Sequence, residues 1–217
     1  MKLHLGCGQR YLDGYLNVDF PPDEHTVQGG SVADLHADLL QLRYPPGSIE
    51  EIRLHHVFEH FARPVACALL ASWHSWLRPG GVLRIEVPDL ARTARVLLNP
   101  FTTHRARTVA IRHLFGSHEA PWAVHCEGYT PKTLKKMAIL FGFVPMAMVK
   151  SSWQGTCNFE LTARRGDASC DFAQYCQKAR QYLEAFQVDH SPSEQALLEV
   201  WMGTFMRQAR AGGIADD

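Results

Sequence analysis

The chain has 217 residues, 46% of them hydrophobic, enough for one large domain or two small ones around a packed core. Lys plus Arg equals Asp plus Glu at 22 each, so no global field recruits nucleic acid or an anionic membrane, and neither partner is expected. No apolar run approaches the ~18 residues of a membrane span, the N-terminus enters a strand without a signal-peptide pattern, and Cys7, Cys67, Cys126, Cys157, Cys170 and Cys176 form no C-x-x-C pair, so the expected setting is a reducing cytoplasm.

Lys2 to Phe20 reads as strand, glycine turn, short crossover and second strand. Apolar residues lead into Gly6-Cys7-Gly8, where glycines let the chain leave a buried strand sharply and bring backbone N–H groups against a ligand. The second strand, Leu16-Asn17-Val18-Asp19, ends in a carboxylate able to accept two hydrogen bonds from the vicinal hydroxyls of a ribose. A dinucleotide fingerprint would need glycine where Tyr11 stands and its acid ~20 residues on, and Asp19 arrives too soon. The crossover has room for one or two helical turns at most.

This stretch resembles motif I of the class I S-adenosylmethionine-dependent methyltransferases, in the short-crossover form LxLGCGxxxxxGxxNVD of small bacterial enzymes of the type 11 group. The resemblance implies a Rossmann-like α/β fold, with a seven-stranded, mostly parallel sheet and an antiparallel last strand. It implies S-adenosylmethionine as cofactor and S-adenosylhomocysteine as product, with no metal. Leu5, Gly6, Cys7 and Gly8 would lie against the methionine part, and Asp19 would hold the ribose. Two positions depart from the pattern. His4 replaces the usual acid before the first glycine, and Arg10 replaces a glycine; Arg10 either pairs with the cofactor carboxylate or is a solvated residue on a turn.

Pro21 to Ser31 is a loop by its punctuation. Val32 to Leu40 gives a short third strand and Asp38-Leu39 at its end, the place where the resemblance implies an acid and an apolar residue that meet the adenine; Asp38 is alternatively a turn-forming Asx residue. Ile49 to His55 is a fourth strand with Ile52 and Leu54 alternating. Its sequel, Leu54-His55-His56-Val57-Phe58-Glu59-His60, resembles the family's HVLEH segment, which would set His55 and His56 at the cofactor. His56 to His60 also spells H-x-x-E-H, an inverted zinc-protease signature, but that motif needs a continuous helix to align its histidines, and here a strand runs straight into it.

Ala62 to Leu77 carries a helical stripe of Val65, Leu69, Trp73 and either Trp76 or Leu77, with Pro64 in its first turn. Arg78-Pro79-Gly80-Gly81 stops it, and Val82 to Val87 is the fifth strand; the string LRPGGxLxIxVPDL is a second point of resemblance to the methyltransferases. Asp89 either caps a helix over Leu90–Leu98 or contacts substrate. Residues 99–129 gather histidine, arginine and aromatic residues and read as a substrate lid with an amphipathic helix near Thr103–Phe115; His118, Trp122 and His125 are the substrate-side candidates. Thr130 and Pro131 start the next helix as N-cap and first residue. Val144–Val149 and Cys157–Ala163 then form a sixth and seventh strand joined as a hairpin through Trp153-Gln154-Gly155.

The methyltransferase domain would cover 1–165. Beyond it a helical extension over 166–217 has helices at Phe172–Phe186 and Pro192–Arg210, the second with the capping box Ser191-Pro192-Ser193-Glu194, followed by a frayed tail over Ala209–Asp217. Leu197, Leu198, Trp201, Phe205 and Met206 need burial, on the domain, over a sheet face, or in a homodimer.

The expected reaction is methyl transfer to a small-molecule or glycan-type acceptor, at oxygen. His125 is the first candidate base, then His56 and His60, with Glu59 to orient one of them. The alternatives are a non-catalytic module on the same fold and a nicotinamide-dependent oxidoreductase.

Overall fold

A computed structural model of the chain describes residues 1–24 and 30–214. The tip of the Pro21–Ser31 loop and the last three residues of the expected tail lie outside these. The strands are β1 (Lys2–Leu5), β2 (Leu16–Asp19), β3 (Leu35–His36), β4 (Ile49–His55), β5 (Leu77–Pro88), β6 (Phe143–Trp153) and β7 (Thr156–Arg165). The helices are α1 (Arg63–Trp76), α2 (Leu90–Leu98), α3 (His104–Phe115), α4 (Pro131–Leu140), α5 (Phe172–Glu184) and α6 (Pro192–Ala211). One seven-stranded sheet runs in the order β3-β2-β1-β4-β5-β7-β6. The pairs from β3 to β5 are parallel, and β7 is antiparallel to both neighbours.

The register sorts side chains into rows. Leu3, Ile52, Leu83 and Ala163 pair across β1, β4, β5 and β7, as do Leu5, Leu54, Ile85 and Leu161, and all eight are buried. Between those rows His4, Arg53, Arg84 and Thr162 pair along the opposite face, since strand side chains alternate. A parallel sheet ordinarily buries both faces and reads as continuous apolar runs. Here the second face is polar: Arg53 pairs with Glu160 at 2.8 Å, Arg84 with Glu51 at 2.8 Å, and the Tyr15 hydroxyl donates to Glu51.

The apolar face packs on α1, whose Trp73 and Trp76 are fully buried, each such burial contributing about 1.5–3 kcal/mol. Pro64 sits in the first turn of α1, where its missing N–H costs nothing. The β6–β7 hairpin turns through Gln154 (φ 49°) and Gly155 (φ 89°), the paired positive φ values that match strand twist in a two-residue loop.

Several expected bounds move. The third strand shrinks to two residues, and Asp38 caps a short 3-10 turn by accepting from the Leu40 N–H, its Asx role. β5 begins at Leu77, which pairs with Ile49, so the Pro-Gly-Gly segment is a register shift within a strand. No helix forms between β1 and β2. Residues 209–214 are not a frayed tail: α6 runs to Ala211, Ala209 and Ile214 are buried, and the Trp76 indole donates to the Gly212 carbonyl. The capping box is half formed; Ser191 accepts from the Glu194 N–H, but the Glu194 carboxylate turns to the Val188 N–H.

The apolar side of α6 packs on α1 of the same chain. Leu198 and Phe205 are buried, Trp201 and Met206 pack against them, and Leu197 stays exposed. No helix of the described residues is long and apolar enough to cross a membrane.

Candidate active site

The carboxyl ends of β1, β2 and β4 open on one edge, the usual ligand position in open α/β sheets. Gly6 (φ 67°) and Gly8 (φ 55°) both take left-handed backbone. Gly6 is doubly constrained, because a Cβ there would stand 2.3 Å from Val57 Cγ2. The Gly6 and Cys7 N–H groups both donate to the Val18 carbonyl, and the Gly8 N–H donates to Asp19 Oδ2, so the loop is clamped to the end of β2. Asp19 Oδ1 accepts from the Phe20 N–H, and Oδ2 also lies 3.8 Å from the Cys7 thiol. Arg10 is exposed, and its charge reaches His55 and Glu86. A glycine turn beside a carboxylate has the chemistry to hold the ribose and the amino-acid end of S-adenosylmethionine.

His4 and His55 form a fixed relay beneath the loop. Arg53 donates to His55 Nε2, which leaves His55 Nδ1 the donor to His4 Nε2 (3.1 Å) and His4 Nδ1 the donor to Asn17 Oδ1 (3.0 Å). Both rings are therefore neutral. Burial, together with the Arg10 and Arg53 charges, lowers His55 to about 3, and burial likewise lowers His4. Both nitrogens of His55 are spent on the sheet, and Leu39 is buried in the core rather than open to an adenine ring.

Beyond β4, His56 takes a positive φ of 54° and leads into a 3-10 turn over Phe58–His60, not the continuous helix of a zinc protease. Its ring bridges two carboxylates, Nδ1 to Glu59 at 3.2 Å and Nε2 to Glu86 at 3.4 Å. Burial opposes its charge, but those bonds outweigh it and raise His56 to about 9. Glu59 is the hub. Its side chain is buried, and Oε1 also lies 3.9 Å from His125 Nε2. Its carbonyl accepts from the Cys126 and Glu127 N–H groups, which holds the His125 segment in place. The His60 ring stands edge-on to His125 at 4.7 Å and uses Nδ1 on the Val124 carbonyl. Burial lowers His125, with Glu59 opposing. Glu59, His60 and His125 place their donor atoms within 4.8 Å of one another, close enough to share a small cation.

The other candidates separate. Trp122 closes the β2 side of the opening, its indole donating to the Glu24 carbonyl and its ring 6.0 Å from Phe20. His118 is exposed and bonds the Phe115 carbonyl, away from the histidine cluster. Asp89 is buried and caps α2 through the Arg92 N–H. The sequence reading passes over Glu86 and has His113 only as one of the histidines of the 99–129 segment; its ring lies 6.0 Å from His56. Strand alternation on β5 places Glu86 on the polar face, but its meeting with His56 depends on sheet order.

No family model matches the chain, and no curated protein does. Solved structures do. A SAM-dependent methyltransferase from Methanosarcina mazei is 13% identical with a TM-score of 0.50, over 76% of this chain and 92% of that one. The 1,6-didemethyltoxoflavin-N1-methyltransferase of Burkholderia thailandensis, solved with 1,6-didemethyltoxoflavin and S-adenosylhomocysteine, is 17% identical with a TM-score of 0.52, over 76% and 71%. An S-adenosylmethionine-dependent methyltransferase from Mesorhizobium loti is 15% identical with a TM-score of 0.50, over 76% and 90%. At these identities the likeness is one of architecture: the chain has the Rossmann-like fold of class I S-adenosylmethionine-dependent methyltransferases.

Proposed function

We propose that this chain is an S-adenosylmethionine-dependent methyltransferase acting on a hydroxyl of a small-molecule or glycan-type acceptor. The observation that carries the reading is the juxtaposition, on one sheet edge, of the clamped Gly6–Gly8 turn and Asp19 with the Glu59–His125 pair. When bound, the cofactor supplies an electrophilic methyl on a sulfonium, transferred by in-line displacement with a neutral sulfur leaving. Asp19 accepts from the ribose hydroxyls, Gly6 and Gly8 admit the methionine chain, and Arg10 pairs with its carboxylate. Residues 116–125, anchored by Trp122, wall the acceptor space and exclude water.

His125 is the base. Its ring is neutral because burial lowers its pKa, and the Glu59 carboxylate, 3.9 Å from Nε2, stabilises the imidazolium formed when the ring takes the acceptor's proton. His56 already holds a proton between Glu59 and Glu86, so it shapes the field rather than accepting. A dinucleotide reading is disfavoured because no helix N-terminus follows the glycine turn to receive a pyrophosphate.

Calorimetry with S-adenosylhomocysteine and with NADH tests the cofactor. Binding of the first is expected and is lost in Asp19→Ala; binding of NADH alone, or of neither, overturns the proposal. His125→Ala should keep cofactor affinity and lose turnover on an identified acceptor, and full turnover would remove His125 as base.

A further inference from the structure

We propose that a second ligand site, for a phosphoryl oxyanion, lies at the sheet edge opposite the candidate active site. There a cleft of about 360 Å³ is lined by Pro46, Gly47, Ser75, Arg165, Ser169, Cys170 and Tyr175. That volume suits a small molecule. Pro46 and Gly47 precede β4 and Arg165 ends the antiparallel β7, so the cleft sits at the amino ends of the parallel strands.

Arg165 carries the argument. It is only 9% exposed, and its Nε is enclosed with no hydrogen-bond partner. Its guanidinium enters no ion pair among the described residues. Buried guanidinium donors are ordinarily satisfied, and an unsatisfied one calls for an explanation such as an absent ion. No carboxylate lines the cleft, while Ser75 and Ser169 bring hydroxyls to it.

Two of the remaining polar groups are already committed. The Ser75 carbonyl accepts from the Gly47 N–H. His74 shares a 2.8 Å hydrogen bond with the Tyr175 hydroxyl, and Tyr175 serves as wall. The nearby charges that act on His74 are those of Arg165 and Lys178, both positive. A cationic fork flanked by hydroxyls in a cleft without acids matches a tetrahedral oxyanion.

The test is calorimetry on the full chain at constant ionic strength, with inorganic phosphate, glucose 6-phosphate and acetate as probes. Saturable binding of phosphate or glucose 6-phosphate is expected, weakened about tenfold or more by Arg165→Gln, with S-adenosylhomocysteine affinity unchanged. Stronger binding of glucose 6-phosphate than of phosphate identifies the ligand as an organic monophosphate, and equal binding identifies the free ion; both support the site. Should Arg165→Gln not fold, Arg165→Lys and the exposed Ser169→Ala are each expected to weaken phosphate binding. Absence of saturable binding, acetate binding as tightly as phosphate, or wild-type affinity in the Arg165 variant overturns the proposal.

Discussion

Gly6→Ala separates backbone strain from collision at the glycine turn. A left-handed L-residue costs about 1–2 kcal/mol, and the new methyl would lie 2.3 Å from Val57 Cγ2, adding the ~1–3 kcal/mol of overpacking. Gly14 is the control, because it takes a similar φ of 77° with nothing within 4 Å of the methyl that an alanine would carry there. Gly14→Ala should therefore cost only the backbone part and Gly6→Ala about 2–5 kcal/mol. Val57→Ala removes the colliding methyls, so the double variant Gly6→Ala/Val57→Ala should recover about 1–3 kcal/mol in a double-mutant cycle. Urea unfolding reads the stabilities, and calorimetry with S-adenosylhomocysteine reads the loop. Equal costs at Gly6 and Gly14, or no recovery in the double variant, would refute the reasoning.

Three further outcomes are expected. His74 is buried and neutral, with burial and the Arg165 and Lys178 charges holding it at about 4 against an ordinary 6.5. The unfolded chain then takes a proton that the native state refuses, so stability falls as pH drops from 6.5 to 4, by about 3 kcal/mol from this group; unfolding free energies of wild type and His74→Gln across that range should diverge in slope, and parallel curves would exclude the effect. Phe205→Ala, truncating a fully buried ring on α6, should cost about 3–5 kcal/mol and shift the whole far-ultraviolet transition; an unshifted main transition would mean that α6 unfolds separately. Arg63 binds Glu127 at 2.6 Å and lies over the Phe186 ring at 3.7 Å, so Arg63→Ala should lower both melting temperature and turnover, and a change in neither would show the link to be idle.

Much of the fold was legible because its signals are local. Thr130-Pro131 predicts the start of α4, and the structure adds the reciprocal Thr133 bond. Asp89 before an apolar stripe predicts α2 and caps it. The Ile52 and Leu54 alternation predicts β4 with its observed bounds. The Ala209–Asp217 stretch reads locally as a frayed tail, but through residue 214 it is ordered, because the Trp76 indole, 136 residues away, ties down Gly212. The candidate site was legible in part. The glycine turn and Asp19 stand in one short string, and the structure clamps them together.

The sequence by itself determined the order of elements, their caps and turns, and the likeness to a methyltransferase, because strand alternation, helix period and glycine sterics act over a few residues. The tertiary structure alone decided which distant side chains meet. His56 bridges Glu59 and Glu86 on the neighbouring strand, while Glu59 also gathers His125 from 66 residues away. The polar face of the sheet and the unsatisfied Arg165 are decided in the same way. Each depends on sheet order and register, long-range pairings that no local string of residues encodes.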